Sequence, residues 1–469
     1  MAALDVAVVA AYVLGILGLG LLLSRRGRQS DRYMAAGRAL PGWAVGLAIF
    51  GSYVSSISYF ANPGKAYASD WNFFAFSLAA IPAAALATRL FVPFYRRSGA
   101  VSAYEHLEQR FGPWARSYAV VCYLLTQMAR MGTIVYLLAL ALAPLTGWSV
   151  VSIVIGVGAV MTVYTLFGGL EAAVLTGAVQ SVVLLAGTAV VLFAVLAGVP
   201  GGPAQVFAVG WQEHKFSLGS LAPGLGASTF WVVLLYGLTI NLQNFGSDQG
   251  YIQRYISARS DREAAHSIWF VPLLYVPVAA LFFFVGTALF VLARLSPDAV
   301  PATLAADQVL PHFIAHALPA GARGLVVASV LAAAMDSNLT SMATLTLVDL
   351  YRRYLRPRAS ERESLLVLRV SVLGWGALAT AVGVAMISAQ TVLDRWWALA
   401  GVFSGGVLGL VLLGMFSNAG SAAAGLATAA GVGVILWVSS WKTPFHGLLA
   451  APLGTAAILL VGLLVGRRP

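Results

Sequence analysis

The sequence predicts an all-α integral membrane protein with about 13 transmembrane helices. Of its 469 residues, 60% are hydrophobic and only 10% are charged, and the mean hydropathy is +0.85. A soluble globular domain has about 25% charged residues, so the composition argues against that class. Apolar runs long enough to cross a hydrocarbon core as helices recur along the whole chain. We therefore expect a single transmembrane domain over residues 1–469.

The apolar runs define the predicted spans in chain order. They lie near residues 3–23, 43–62, 72–94, 116–144, 148–166, 170–198, 227–247, 267–293, 324–348, 366–387, 396–416, 421–439 and 447–466. The first begins with "MAALDVAVVAAYVLG", which lacks the basic start and the cleavage motif of a signal peptide. We expect it to be a retained span.

Basic residues are distributed unequally between the two sides of the membrane that these spans define. Twenty arginines, Arg254 among them, fall in the segments after spans 1, 3, 7, 9 and 13, whereas the opposite side has six basic residues. The positive-inside rule then predicts an external N-terminus and a cytoplasmic C-terminus. The net charge of +11 is explained by this topology, and the scattered arginines argue against a nucleic-acid partner.

Two spans are interrupted by polar residues and glycine. Span 2 contains "FGSYVSSISYFANPGKAY" (50–67), and span 7 ends in "TINLQNFGSDQGYIQRY" (239–255). Non-helical backbone at membrane depth is tolerated only where it lines a cavity or is buried in protein. The breaks occupy matching places in two halves, spans 2–6 and spans 7–11. This pattern predicts an inverted-repeat transporter with a site between the broken helices, and close helix packing by small residues is the alternative.

Motifs spread in order over most of the chain resemble the sodium/solute symporter family. They are "DRYMAAGRALPGW" before span 2, "SAYEHLEQRFG" (102–112), "FGGLEAAVLTGAVQ" (167–180), "DQGYIQRY" (248–255) and "MDSNLTSMATLTLVDLY" (335–351). "MARMGTIVYLLALAL" in span 4 and "SSISYFANPGKAY" in span 2 look most like the branch that contains bacterial sialic acid transporters.

The resemblance implies a LeuT-like fold with a five-plus-five inverted repeat, one extra N-terminal helix and two extra C-terminal helices. The expected divisions are 1–42 for the extra helix and a cytoplasmic loop, 43–198 and 227–416 for the two repeats, and 417–469 for the C-terminal helices. It also implies a protein of the bacterial inner membrane, and we expect it to function as a monomer.

Arg130 in span 4 is the main candidate for a functional charge. It lies 14 residues after Arg116, roughly 21 Å along a helix, which is too deep for its side chain to reach water comfortably. An intramembrane arginine is a functional candidate by default, and its forked donors suit a carboxylate. The resemblance implies that Arg130 binds the substrate carboxylate. The alternative is a structural arginine that pairs with Asp336 or with carbonyl groups at a helix break.

The resemblance also implies a substrate pocket between the broken helices and spans 3, 4 and 11. The expected residues combine hydroxyl and amide groups with aromatic walls, as a polyhydroxylated solute requires. They are Tyr53, Ser55, Ser58, Phe73, Ser77, Arg130, Asn241, Gln243, Asn244 and Trp397. Sugar-binding family members carry an acid and an amide where this chain has Ile57 and Ser58, so we expect an organic acid rather than a neutral sugar.

The expected coupling-ion site departs from the family pattern. Family members that use sodium place adjacent hydroxyl residues where this chain has Ala333 and Ala334, and some carry an aspartate where it has Gly177. A hard cation needs several oxygen ligands. The remaining candidates are the backbone carbonyls of Gly51, Val54 and Val330. The side chains of Asp336 and Ser337 could add a carboxylate and a hydroxyl.

Three mechanisms stay open at this point: sodium coupling through a relocated set of ligands, proton coupling through Asp336, and facilitated diffusion. The sequence predicts a secondary active transporter that imports a carboxylated solute, such as sialic acid or another sugar acid, by alternating access. Sodium is the expected coupling ion, and no other cofactor is expected. The alternatives are a proton-coupled or uncoupled transporter of a monocarboxylate or sugar, and a membrane solute sensor. No nucleophile–base constellation suggests an enzyme.

Overall fold

The computed structural model describes residues 1–23, 29–301, 303–334, 338–387, 406–440 and 442–466, and these residues are mainly α-helical. In chain order, the α-helices are α1 (Ala3–Leu23), α2 (Ser30–Ala35), α3 (Gly42–Tyr53), α4 (Ser56–Ala68), α5 (Phe74–Leu78), α6 (Ala80–Ser98), α7 (Glu105–Phe111), α8 (Pro113–Thr146), α9 (Val150–Gly198), α10 (Gly202–Gln212), α11 (Phe230–Gly246), α12 (Gln249–Ile256), α13 (Asp261–Leu295), α14 (Val309–Ala317), α15 (Ala322–Ala334), α16 (Leu339–Leu345), α17 (Glu361–Ala385), α18 (Gly406–Phe416), α19 (Ser421–Ser440) and α20 (Ala450–Val465). Thr346–Leu355 continues α16 as a π-helix.

Helix length and composition confirm a multi-pass membrane protein. Among the described residues, nine helical segments are long and apolar enough to cross a membrane, and the bent pair of α3 and α4 makes a tenth. Val150–Leu166, which is the first part of α9, and α18 are shorter apolar helices. The count of 13 spans stays a prediction, because it relies partly on residues 388–405, which lie outside the described part. The exact division of the chain into repeats stays a prediction as well.

The predicted boundary between spans 5 and 6 corresponds to a kink at Gly169 within α9. Its φ of 58° and ψ of −156° lie outside the helical region. A Cβ atom at this position would lie 2.7 Å from the carbonyl oxygen of Tyr33, so a side chain does not fit. Glycine therefore allows the chain to turn while it stays in contact with the segment before α3.

The first break lies between α3 and α4, inside span 2. α3 ends at Tyr53, and Val54 leaves the helical region with φ −94° and ψ 84°. The Ser55 side chain then caps α4 by accepting a hydrogen bond from the N–H of Ser58. Such a cap satisfies a backbone donor that has no helical partner. The segment predicted as one span over 43–62 is therefore two helices, bent by 51°.

The second break lies between α11 and α12, inside span 7. α11 ends at Gly246, and the Asp248 carboxylate accepts hydrogen bonds from the N–H groups of Gly250 (2.8 Å) and Tyr251 (3.4 Å). A carboxylate at a helix N-terminus satisfies free N–H groups and interacts favourably with the helix dipole. Every residue of α12 is buried, so this break lies inside the protein.

The broken helices exchange partners between the two halves. α3 and α4 pack against α13, and α11 packs against α6. In terms of spans, span 2 contacts span 8 and span 7 contacts span 3. Each broken helix thus packs against the second span of the opposite half, as an inverted repeat requires.

The helices outside the two halves are attached to them by specific contacts. The Asp5 carboxylate of α1 accepts hydrogen bonds from the N–H groups of Gly321 (2.8 Å) and Gly324 (2.9 Å) at the start of α15. α19 and α20 pack against each other, and α20 contacts α11. The N-terminal helix thus packs against α9 of the first half and is hydrogen-bonded to the start of α15 in the second half.

Candidate functional site

A cavity of about 440 Å³ lies between the two breaks. The size is within the range of about 300–1,000 Å³ that small-molecule sites occupy. Its wall combines an arginine and a carboxylate with hydroxyl, amide and aromatic side chains. The lining residues are Ser52, Tyr53, Ser55, Ser58, Phe76, Thr126, Gln127, Arg130, Tyr236, Ile240, Gln243, Asn244, Asp248, Tyr251, Tyr275, Ser439, Gly447, Leu448, Ala450 and Ala451.

Arg130 reaches this cavity from the middle of α8. Its Nη2 donates a hydrogen bond to the carbonyl oxygen of Ser52 at 3.2 Å, and the hydroxyl of Tyr251 donates to the same oxygen at 3.2 Å. Ser52 lies in the last turn of α3, where carbonyl groups lose their helical donors because the helix ends. The break in span 2 therefore positions the guanidinium in the cavity wall.

Asp248 places a carboxylate in the same wall. Gln127, one turn before Arg130 on α8, donates from Nε2 to Asp248 Oδ2 at 2.8 Å and accepts from Asn338 Nδ2 at 2.8 Å. Asn338 directly precedes α16. The charges of Asp248 and Arg130 also attract each other. Through Gln127, α8 is therefore hydrogen-bonded to the break of span 7 and to the start of α16. Through Arg130, it is hydrogen-bonded to the break of span 2.

The charge pattern predicts that Arg254 lies in a solvated cytoplasmic loop. The structure instead places it in a buried helix. It belongs to α12, is only 3% exposed, and its Nη1 hydrogen-bonds the hydroxyl of Ser52. The prediction is wrong because the chain continues as a buried helix after the break in span 7. Two side chains of α12 therefore hydrogen-bond the end of α3: Arg254 contacts the hydroxyl of Ser52, and Tyr251 contacts its carbonyl oxygen.

The structure brings six of the predicted substrate residues together in the cavity wall. These six are Tyr53, Ser55, Ser58, Arg130, Gln243 and Asn244. All of them except Arg130 lie within four residues of one of the two breaks in the helices. Trp397 lies outside the described residues.

Three other predicted residues lie behind the wall. The Asn241 amide is turned into the protein, where it donates to the carbonyl oxygens of Gly237 (2.7 Å) and Phe76 (3.4 Å). Ser77 is buried beside the hydroxyl of Tyr275. Phe73 is covered by the ammonium group of Lys65, which lies over its ring. These residues support the wall and do not line it.

Several lining residues are absent from the prediction. They are Thr126, Gln127, Tyr236, Asp248, Tyr251 and Tyr275. Gln127 has a sequence signal, because it lies three residues before Arg130 and so on the same helix face. Asp248 has one too, since it is the acidic residue of the interrupted stretch in span 7. The tyrosines have no such signal, because their helices carry many aromatic residues and only the packing selects among them.

Four of the residues predicted to bind the coupling ion are buried, whereas Gly51 is partly exposed. Val54, Val330, Ala333 and Ala334 are each at most 2% exposed, and both alanines bring only methyl groups to this region. A Cβ atom at Gly51 would lie 2.6 Å from Ser181 Oγ. Asp336 and Ser337 lie outside the described residues.

A second group of buried charges lies near the start of α8. Arg116 is 8% exposed, its Nε donates to Asp349 Oδ1 at 2.6 Å, and its Nη1 donates to Glu108 Oε2 at 2.9 Å. The hydroxyl of Ser102 donates to Asp349 at 2.7 Å, and Arg353 pairs with Glu108. This group, which we call the Arg116 cluster, connects α7, α8 and the π-helix.

His106, on α7 beside this cluster, is a buried titratable group outside the membrane-spanning helices. Its ring packs edge to face against Phe94 and Tyr95, and its Nδ1 donates to the carbonyl oxygen of Ala103 at 3.0 Å. Burial lowers the pKa of this imidazole to about 4, because the charged form loses its hydration. The side chain is therefore neutral at physiological pH.

A polar cavity between two broken helices of an inverted repeat is the arrangement of a secondary membrane transporter. The family model of the sodium:solute symporters matches residues 33–429. The chain belongs to the sodium:solute symporter family.

Known relatives of this family can be aligned with nearly the full length of this chain. The chain is 30% identical to the sodium/sialic acid symporter NanT of Aliivibrio fischeri, over 97% of this chain and 91% of the relative. It is 31% identical to the sodium/sialic acid symporter SiaT of Proteus mirabilis, over 90% of this chain and 87% of the relative. It is also 30% identical to the human sodium/iodide cotransporter, over 94% of this chain and 70% of the relative.

Solved structures support the fold. A substrate-bound, outward-open Na⁺-coupled sialic acid symporter superposes with a TM-score of 0.94 at 27% identity, over 99% of this chain and 98% of that chain. Mhp1, a nucleobase-cation-symport-1 family transporter, superposes with a TM-score of 0.58 at 17% identity, over 92% and 93% of the two chains. The second likeness concerns the fold alone. Together they confirm the predicted LeuT-like architecture.

Proposed function

We propose that this protein is a sodium-coupled symporter that imports a small carboxylated organic solute, with sialic acid or another sugar acid as the first candidate. The observation that carries the proposal is the Arg130 guanidinium in the wall of the cavity between the two breaks. The full-length similarity to two sodium/sialic acid symporters supports the same class of substrate.

Arg130 is the proposed partner of the substrate carboxylate. A guanidinium presents paired N–H donors that match the two oxygens of a carboxylate, and a cavity wall shields this pair from bulk water. The Ser52 carbonyl orients the side chain, so little conformational entropy is lost when the solute binds. Asp248 would repel an acid brought close to it, which favours a pose with the substrate carboxylate on the Arg130 side.

The remaining wall suits the body of a sugar acid. The hydroxyls of Ser55 and Ser58 and the amides of Gln243 and Asn244 provide donors and acceptors for hydroxyl groups. Tyr236, Tyr251 and Tyr275 provide aromatic surface for the apolar parts of the solute. A cavity of about 440 Å³ is also far larger than a halide ion needs, which favours an organic anion over iodide.

Sodium is the proposed coupling ion, because the relatives are named for sodium coupling. Gly51, Val54, Val330, Asp336 and Ser337 are retained as proposed ligands at the expected family position. Ala333 and Ala334 provide no side-chain oxygen there, so this position has fewer ligands than a hard cation prefers. We further propose a location in the bacterial inner membrane, with the N-terminus outside, and a functional monomer.

Uptake by proteoliposomes tests the proposal. Purified protein should accumulate radiolabelled sialic acid when sodium is placed outside, and replacement of sodium by choline should abolish the accumulation. If the cavity selects a carboxylated sugar, unlabelled sugar acids should compete most strongly, lactate less strongly and iodide least. Accumulation that is equal in sodium and choline would contradict sodium coupling, and a solute without a carboxylate as the best competitor would contradict the substrate class.

A further inference from the structure

A second, smaller chamber lies beside the main cavity, further towards the start of α8. It has a volume of about 30 Å³, which exceeds the roughly 10–15 Å³ needed for one water-sized occupant. Its wall is formed mainly by α8, by the end of α11 and by the break after it. The lining residues are Tyr104, Cys122, Tyr123, Thr126, Gln127, Gln243, Ser247, Asp248 and Val407.

Two residues of the chamber wall carry buried oxygen atoms that have no hydrogen-bond partner among the described residues. Thr126 Oγ1 and Gln243 Oε1 are inaccessible to solvent and have no hydrogen-bond partner within the described part of the chain. A buried polar atom without a partner destabilises a protein, so two such atoms on residues of one chamber wall favour an occupant that satisfies them.

The charge of the chamber identifies the kind of occupant. The Asp248 carboxylate lies in the wall, and its bonds to Gln127, Gly250 and Tyr251 use only part of the acceptor capacity of its two oxygens. One carboxylate together with neutral hydroxyl and amide oxygens forms a hard ligand set of low total charge. Such a set suits an alkali cation. Cys122 adds one sulfur to the wall, whereas transition metals favour several imidazole and thiolate ligands.

We propose that this chamber binds a sodium ion, with Asp248, Thr126 and Gln243 as side-chain ligands. This inference deepens the proposed function, on which its role in coupling rests. It offers an explanation for transport coupling in a chain that lacks hydroxyl groups at Ala333 and Ala334 and a carboxylate at Gly177. The chamber lies between α8 and the α11–α12 break, so its side chains differ from those expected at the family position.

The position of the chamber couples the ion to the solute. Four residues, Thr126, Gln127, Gln243 and Asp248, line both the chamber and the main cavity. An ion held by Asp248 and Gln243 fixes the break of span 7 and offsets the carboxylate charge that repels an acidic solute. Binding of sodium should therefore strengthen binding of the solute, and by linkage the reverse must hold.

Sodium binding to purified protein, without any solute, tests the chamber independently of the substrate. The sodium affinity should fall about tenfold in Thr126→Val, since one ligand oxygen is lost. Radioactive sodium binding measures this affinity directly, and the rise in unfolding temperature should then require about tenfold more sodium. Gln243→Met should weaken binding similarly, whereas Thr126→Ser keeps the hydroxyl and should bind sodium almost as the natural protein does. Potassium and choline at equal ionic strength are the cation controls.

Thr133→Val is the matched control on the same helix. Thr133 is buried, and its hydroxyl already donates to the Ala129 carbonyl oxygen at 2.9 Å. The same chemical change there should leave the sodium affinity unchanged. This control separates loss of a ligand from a general effect of removing a buried hydroxyl from α8.

The outcomes distinguish this site from the proposed function. Unchanged sodium affinity in both Thr126→Val and Gln243→Met, in folded protein, would overturn the chamber while leaving sodium-driven uptake intact. No sodium binding by the natural protein would mean that the chamber holds only water, which also overturns the site. Sodium binding that depends on Thr126, in a protein that transports no carboxylated solute, would keep the site and contradict the proposed substrate.

Discussion

Two arginines on α8, 14 residues apart, have different surroundings, since Arg116 is buried and Arg130 is partly buried. Arg116 is held between the carboxylates of Asp349 and Glu108 at 2.6 and 2.9 Å. Arg130 donates to the Ser52 carbonyl at a helix break and lines a cavity of about 440 Å³. Burial of a charge therefore does not by itself indicate a binding site, and a charge in the wall of a cavity is the better candidate.

The largest expected effect concerns the Arg116 cluster. Arg116→Ala should lower the free energy of unfolding by about 3–5 kcal/mol, because it leaves the Asp349 carboxylate buried without its cation. Thermal unfolding in detergent measures this loss. The double variant Arg116→Met with Asp349→Leu should recover much of it, and Arg97→Ala, an exposed arginine, is the control. If the single variant is as stable as the natural protein, the cluster is not structural.

Substitution of Arg130 should affect the binding of solute, whereas substitution of Arg116 should affect stability. Arg130→Ala should reduce the affinity for the carboxylated solute roughly 100-fold, because charge-assisted hydrogen bonds contribute about 1.5–3 kcal/mol. Arg130→Lys should restore little, since an ammonium lacks the paired donors. Solute-dependent thermal shifts and uptake measure the affinity. An unchanged affinity would show that the comparison with Arg116 is wrong and that Arg130 is structural as well.

His106 extends the comparison to a buried group whose charge depends on pH. Its pKa is about 4 in the folded protein and 6.5 in an unperturbed histidine, so the unfolded chain takes up the proton first as the pH falls. Stability should therefore decrease between pH 6.5 and 4, by roughly 1–2 kcal/mol on going from pH 7 to pH 5. Unfolding temperatures measured across this range test the prediction. His106→Phe should flatten the profile, and His316→Gln, at an exposed position, should not.

The smallest effect separates two asparagines on α11. Asn244 lines the cavity, and Asn244→Ala should weaken solute binding about 3–10-fold, the value of one ordinary hydrogen bond. Asn241 instead donates to the carbonyl oxygens of Gly237 and Phe76. Asn241→Ala should leave the affinity unchanged and lower stability by about 1 kcal/mol. Equal effects of the two variants on affinity would indicate that the cavity wall extends further than the structure indicates.

Much of the fold could be predicted from the sequence, because a membrane imposes strong rules. A helix must be apolar over its length to cross the bilayer, so the spans are readable from composition. The breaks are readable too, because serine, glycine and asparagine interrupt apolar runs at two matching places. The sequence does not reveal that α12 is fully buried, since Arg254 and Gln253 look like loop residues until the packing around them is known.

The candidate site could be predicted only in part. Arg130 stands out because a cation in an apolar helix is costly and therefore rare. Asp248 was harder to assign, because an acidic residue that follows a glycine and a serine is equally typical of a helix cap, and it is one. Thr126 gives no signal, since single polar residues in membrane helices usually donate to their own helix backbone. Gln243 is predicted as a substrate residue through the family resemblance, and nothing in the sequence indicates that it also lines the smaller chamber.

The amino-acid sequence by itself determined the class of protein, the two interrupted helices and the presence of an arginine at membrane depth. Hydrophobicity, charge and breaks in helical periodicity are local properties, so they can be read along the chain. Only the tertiary structure decided which of these charges is enclosed between carboxylates and which lines a cavity. That distinction depends on the distances between α8, α11, α12 and the π-helix, because hydrogen bonds and ion pairs form over only a few ångströms between residues far apart in the sequence.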